Sequence, residues 1–139
     1  MTFTPRSYTA TEWTSAQKKT DFAKWLVRFI EGGFKLSMFP NTKYRQLRNC
    51  FHHIAEFDRD GFHETWFSDI KRQARFLRNI AECDVYGDPA FTYSDVEADI
   101  KQYVCEHRLA EIWNANVVVR QEQFERAQLT QLKAKYGEV

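Results

Sequence analysis

Cysteine, proline and glycine are scarce in this chain of 139 residues, with three, three and five copies respectively. An odd number of cysteines at wide spacing, Cys50, Cys83 and Cys105, excludes the disulfide framework of a small secreted scaffold. The thiols are expected to act as small core residues in a reducing, cytoplasmic setting. Low glycine and proline without any low-complexity tract excludes a collagen-like chain, a linker or a disordered tail. Charge of one sign is also lacking: 20 basic side chains stand against 19 acidic ones, a net charge of +1. That balance argues against a polybasic nucleic-acid binder or membrane anchor as a whole-protein class. No long apolar run exists either. The longest uncharged stretch, Ile112 to Val119, falls far short of the roughly 18 residues a membrane span needs. The opening Met1-Thr-Phe-Thr-Pro-Arg-Ser-Tyr lacks the apolar stretch of a secretory signal, so no membrane partner is expected. Glycine-rich phosphate loops, G-x-S-x-G, H-E-x-x-H and C-x-x-C are absent. Their absence removes the common nucleotide, hydrolase, metalloprotease and redox readings, and no cofactor is expected.

What the chain has in quantity is aromatic rings: twelve Phe, six Tyr and four Trp within an apolar share of 43%. That suffices for one well-filled core and therefore one domain over residues 1–139, with residues 1–13 loosely ordered. Phe22, Trp25, Leu26, Phe29 and Ile30 recur on one helical face, predicting a helix from about Thr14 to Ile30 closed by Gly32-Gly33. Asn41 or Thr42 is placed to cap a second helix reaching about Phe57, with Tyr44, Leu47, Phe51 and Ile54 buried. Asp58-Arg-Asp-Gly61 reads as a polar turn. A third, long helix is expected from Phe62 to Val85, burying Trp66, Ile70, Leu77 and Ala81 and stopping at Gly87-Asp88-Pro89. Ser94-Asp-Val-Glu97 has the form of a capping box for a fourth helix carrying Val96, Ile100, Tyr103 and Val104. Asn114 and Asn116 are expected to end it, with Val117-Val-Val119 as a turn into a fifth helix that closes near Tyr136. The fold class that follows is all-α, a compact antiparallel bundle of four or five helices. Trp25 and Trp66 should be among its least exposed residues.

The segment Tyr44-Arg-Gln-Leu-Arg-Asn-Cys-Phe-His-His-Ile concentrates chemistry. At about 100° per residue, Arg45, Asn49, His52 and Glu56 fall on one polar stripe opposite Leu47, Phe51 and Ile54. Arg48-Asn49 followed by His53, an Arg with four residues before a His, resembles the R-x(4–6)-H motif of HEPN domains. Arg45 and His52 fit the same motif. The resemblance implies a metal-independent endoribonuclease in which Arg and His act on an RNA phosphate and 2′-hydroxyl at a dimer interface, roles open to guanidinium charge and imidazole acid–base chemistry. The competing reading is a solvated face with Arg48–His52 and His52–Glu56 as i, i+4 neighbours.

Metal binding finds less support. Glu56, Asp58, Asp60 and Gly61 match the start of a calcium loop, but Phe67 stands where the closing bidentate Glu is required. Cys50-Phe-His52 and Cys105-Glu-His107 place their pairs two residues apart, so on a helix they diverge. No metal site is assigned.

Charge is unevenly spread: residues 1–50 carry nine basic and three acidic side chains, residues 51–100 five and eleven. Lys71, Arg75 and Arg78 lie within about 60° of one another and form a basic ridge able to meet a partner's carboxylates, RNA or DNA. Phe76 falls outside the expected buried stripe and beside Arg72, so Lys71, Arg72, Arg75, Phe76 and Arg78 are the expected binding residues. Tyr8 and Trp13 are further interface candidates. Between Glu82 and Asp99 there are six acidic residues and no basic one, a patch suited to a basic partner surface or to the basic half of the same fold. Without a complete catalytic set, the chain is expected to act by binding a macromolecule, most simply a protein, with homodimerisation as a further option. A phage or mobile-element accessory protein that inhibits a host defence complex is the class such a chain suggests by association.

Overall fold

The computed structural model describes residues 3–51 and 58–137. The architecture is all-α, with six helices among the described residues where four or five were expected. They are α1 (Ala16–Glu31), α2 (Asn41–Cys50), α3 (Arg59–Phe67), α4 (Ile70–Glu82), α5 (Ser94–Glu106) and α6 (Leu109–Tyr136), with a short 3-10 turn at Leu36–Met38.

Helix α1 follows its apolar pattern: Phe22, Trp25, Leu26, Phe29 and Ile30 are all buried, and the Ser15 hydroxyl accepts from the Lys18 amide. It ends where Gly33 takes a positive φ of 89°, and Phe34 follows in the left-handed region at 60°. Left-handed backbone is costly for a bulky residue. Phe34 is held there because its ring packs on Phe67 at 4.9 Å and meets Phe29, Phe76 and Trp113 edge-on. The His63 Nε2–H donates to the Phe34 carbonyl at 2.7 Å.

The expected long third helix is two helices. The Asp69 carboxylate accepts the Arg72 amide at 2.8 Å and starts α4 afresh, so the chain bends at Ser68-Asp69. Asp58 does the same one helix earlier, accepting from the Gly61 amide, so Arg59, Asp60 and Gly61 form the first turn of α3 instead of a loop. The bend rotates the α4 stripe: Ala74, Phe76, Leu77 and Ile80 are buried, while Trp66, Ile70 and Ala81 are only partly so. Phe76, expected at the surface, is 0% exposed and lies 4.8 Å from Phe67. Trp25 is buried as expected, whereas Trp66 is half-buried with the Arg75 guanidinium 4.6 Å from its ring. Ile54 lies outside the described residues, as does the remainder of the second helix as expected beyond Phe51.

Helix α5 starts where the capping box placed it, but without the box. The Ser94 hydroxyl donates to the Gly87 carbonyl, and the Ser94 amide is taken by Thr92 Oγ1. Gly87 is required there, since its φ is 112° and a Cβ would stand 2.9 Å from Thr92 Oγ1. Helix α6 runs through Asn114, Asn116 and Val117–Val119 without a turn. Each of those residues costs only a few tenths of a kcal/mol in a helix, too little to break one already started. From Val118 to Gly137 every residue is exposed, so the end of α6 projects from the body. No helix among the described residues is long and apolar enough to cross a membrane.

The junction between α5 and α6 is Arg108, at φ 52° and exposed. Left-handed backbone costs an L-residue about 1–2 kcal/mol, part of which glycine returns through its looser unfolded chain. Arg108→Gly is therefore expected to raise stability by about 0.5–1 kcal/mol. Thermal melts followed by circular dichroism check this, and a midpoint below wild type would contradict the assigned backbone.

Candidate functional site

Helix α4 packs against α6, and their exposed edges enclose a groove of about 770 Å³. The ridge read from sequence lies here: Lys71, Arg72, Arg75 and Arg78 all line it. Its floor is short and apolar, from Ala74, Ala81, Ala110 and Val117, with Cys105 beside them. Small side chains at these positions leave the depth; longer ones would fill it. The four cations are not equivalent. Arg72 is engaged by Asp69 at 2.8 Å, and Arg75 donates to the Thr65 carbonyl at 2.9 Å while covering the Trp66 ring. Lys71 and Arg78 make no hydrogen bond or ion pair with any described residue. Asp69, Glu82 and Glu111 also line the groove, so the surface is mixed in sign. Phe76, expected among the binding residues, is excluded from it by burial beneath α3 and the 34–39 connection.

Arg45, Arg48 and Asn49 are exposed on α2. The Arg48 guanidinium stands 5.7 Å from the Tyr44 ring, and Asn49 borders a second, smaller pocket. His52, His53 and Glu56 lie outside the described residues, so the Arg–His pairing rests on sequence alone. Of the calcium-loop residues, Asp58 caps α3 and Asp60 pairs with Arg59 at 2.9 Å. Among the described residues no three His, Cys, Asp or Glu side chains gather at one point.

Tyr8 and Trp13, linked in the sequence reading, have opposite environments. Tyr8 is buried and donates to Asp99 Oδ2 at 2.5 Å; burial, then the Asp99 carboxylate, push its phenol well above the ordinary tyrosine range. The Arg6 and Thr9 amides donate to Asp99 and Asp95 at 3.0 and 2.8 Å, so the N-terminal arm, expected to be loosely ordered, is fastened to α5 by these contacts. Trp13 is 84% exposed on a turn closed by Thr11 Oγ1.

Sequence reasoning missed Lys19. It is 0% exposed, and its Nζ donates to the Pro89 carbonyl at 2.9 Å, the Thr92 carbonyl at 2.8 Å and Asp95 Oδ1 at 2.9 Å. All three ammonium protons are thereby used. The signal was available: Lys19 precedes Phe22, Ala23 and Leu26 by three, four and seven residues and so falls on the apolar stripe of α1. Through it α1 grips the turn between α4 and α5 from beneath. Cys50 is buried too, and burial holds its thiol well above the ordinary range, which leaves it unreactive. No protein-family model, curated protein or solved structure matches the chain.

Proposed function

We propose that the chain is a non-enzymatic binding protein that takes a segment of a partner protein into the groove between α4 and α6. The observation that carries this is the meeting, in the α4–α6 groove, of two uncommitted cations, Lys71 and Arg78, with an apolar floor of Ala74, Ala81 and Ala110. Mixed sign favours protein over nucleic acid. A phosphate backbone drawn to Lys71 and Arg78 would also face Asp69, Glu82 and Glu111, whereas a peptide can present carboxylates to one end and apolar or basic side chains elsewhere. An accessory or inhibitor protein of a phage or other mobile element, acting on a host complex, is the functional class that fits this mode of action.

Pull-down from a lysate of the producing cells, quantified by mass spectrometry after nuclease treatment, tests the reading. The double variant Lys71→Glu/Arg78→Glu changes two exposed, unpaired side chains and should fold as wild type. Wild type is expected to retain a protein at least tenfold better than the double variant. Equal retention by the two, or retention that nuclease abolishes, overturns the proposal.

A further inference from the structure

Three of the most exposed rings among the described residues border one pocket that shares no residue with the α4–α6 groove. Trp13 is 84%, Tyr86 78% and Phe91 79% exposed, and all three line a cavity of about 220 Å³. Tyr93, Asn49 and Glu97 complete much of its wall. Solvating three large rings forgoes the burial that every other Phe and Trp among the described residues obtains at least in part, apart from Phe124 on the projecting end of α6. Neither Trp13, Tyr86 nor Phe91 stacks on another described ring. Their faces are open.

Among the described residues, carboxylates stand beside these rings. Glu97 lines the pocket; Asp84 accepts from the Tyr86 hydroxyl at 3.2 Å; Asp88 caps the turn that carries Phe91 by accepting the Ala90 amide at 2.9 Å; Glu12 adjoins Trp13. No basic side chain is among the described residues lining the cavity. Lys19, whose Nζ stands 5.5 Å from the Tyr93 ring, is bonded to Asp95 and two carbonyls beneath the turn, and Lys101 is bonded to the Cys83 carbonyl. Aromatic faces carry negative quadrupole charge and attract cations, more strongly once water is displaced. Rings and carboxylates together therefore select a positive group and repel phosphate. At 220 Å³ the cavity is below the roughly 300–1,000 Å³ of sites that enclose a whole small molecule, and suits one long side chain.

We propose that this pocket, formed by the Thr11–Thr14 turn, the end of α2 and the 86–97 segment, binds the cationic head of an arginine or lysine side chain presented by a basic segment of a partner protein. The backbone beneath two of the rings is fixed. Trp13 sits on the Thr11 turn, and Phe91 on a turn whose Pro89 and Thr92 carbonyls are held by Lys19. The site is separate from the α4–α6 groove and draws on none of its residues.

A fluorescein-labelled peptide of four Gly-Arg repeats is the probe, read by fluorescence anisotropy at low salt, with a second peptide carrying citrulline at each Arg as the neutral match. Saturable binding of the Arg peptide is expected, weakened at least tenfold by citrulline and at least tenfold by Trp13→Ala/Tyr86→Ala/Phe91→Ala. Lys71→Glu/Arg78→Glu should leave it unweakened. Circular dichroism confirms that the triple variant is folded, which its exposed positions favour. Absence of saturable binding, equal binding of the citrulline peptide, or equal binding by the triple variant each overturns the proposal. So does self-association of wild type that the triple variant abolishes, which would assign the pocket to a second copy of the chain.

Discussion

Lys19→Met is expected to lower the unfolding free energy by about 3–5 kcal/mol, the usual consequence of removing one partner of a buried ion pair. Methionine keeps the length and apolar stem of the side chain, so the loss isolates the ammonium. Its removal leaves the Pro89 and Thr92 carbonyls without the ammonium they accept from, and leaves the Asp95 carboxylate with only the Thr9 and Val96 amides and no cation. Against a typical total of about 5–15 kcal/mol for a domain, that change brings the protein close to its unfolding threshold at 37 °C. Urea titration gives the number. Asp95→Asn in the Lys19→Met background should cost less than the sum of the two single changes, because the stranded charge is then gone. A Lys19→Met cost below about 1 kcal/mol would contradict a buried, fully bonded ammonium at this position.

Phe67→Ala should be comparably damaging, at about 3–5 kcal/mol. Phe67 is the last residue of α3 and the node of the aromatic core: it stacks on Phe34 and meets Phe29, Phe39, Phe62 and Phe76 edge-on, with centroids between 4.8 and 5.6 Å. Truncation leaves a cavity whose walls are five rings, each braced by others, so collapse into the space is limited and the loss stays near the upper end. Phe67→Leu, which keeps most of the volume, should cost clearly less. An alanine variant within about 1.5 kcal/mol of wild type in urea would show that the rings repack freely, contrary to this arrangement.

These two positions also show what the sequence made legible. Phe22, Trp25, Leu26, Phe29 and Ile30 mark one face at helical spacing, and α1 lies where they put it. The start of α5 is similarly visible from Ser94, although the bond that fixes it comes from Thr92. The break at Ser68-Asp69 was hidden because Asp69 caps α4 alone, with Arg72 where a capping box would carry Glu or Gln, and the apolar spacing permits a helix to run through. That omission propagated: a single helix from Phe62 to Val85 puts Phe76 on the outside, while two helices folded at Asp69 put it under Phe67. The continuity of α6 was missed for the opposite reason, since the weak propensities of Asn114, Asn116 and Val117–Val119 are small beside the cost of ending a helix. In the candidate site, Lys71, Arg72, Arg75 and Arg78 share a ridge that 3.6-residue periodicity reveals. The α6 side of the groove, from Ala110, Glu111, Asn114 and Val117, is a matter of tertiary packing and could not be read from α4 alone.

Cys105 offers the most direct test of the groove, since it is exposed and lines the groove floor. In a Cys83→Ser background, with Cys50 shielded by burial, a benzophenone maleimide attached to Cys105 places a photo-crosslinker inside the groove of the folded protein. A discrete protein adduct is expected on irradiation in lysate, resistant to nuclease and lost in Lys71→Glu/Arg78→Glu. An adduct that persists unchanged in that variant, or labelling from Cys105 no greater than from a cysteine placed at exposed Lys24 on α1, would contradict it.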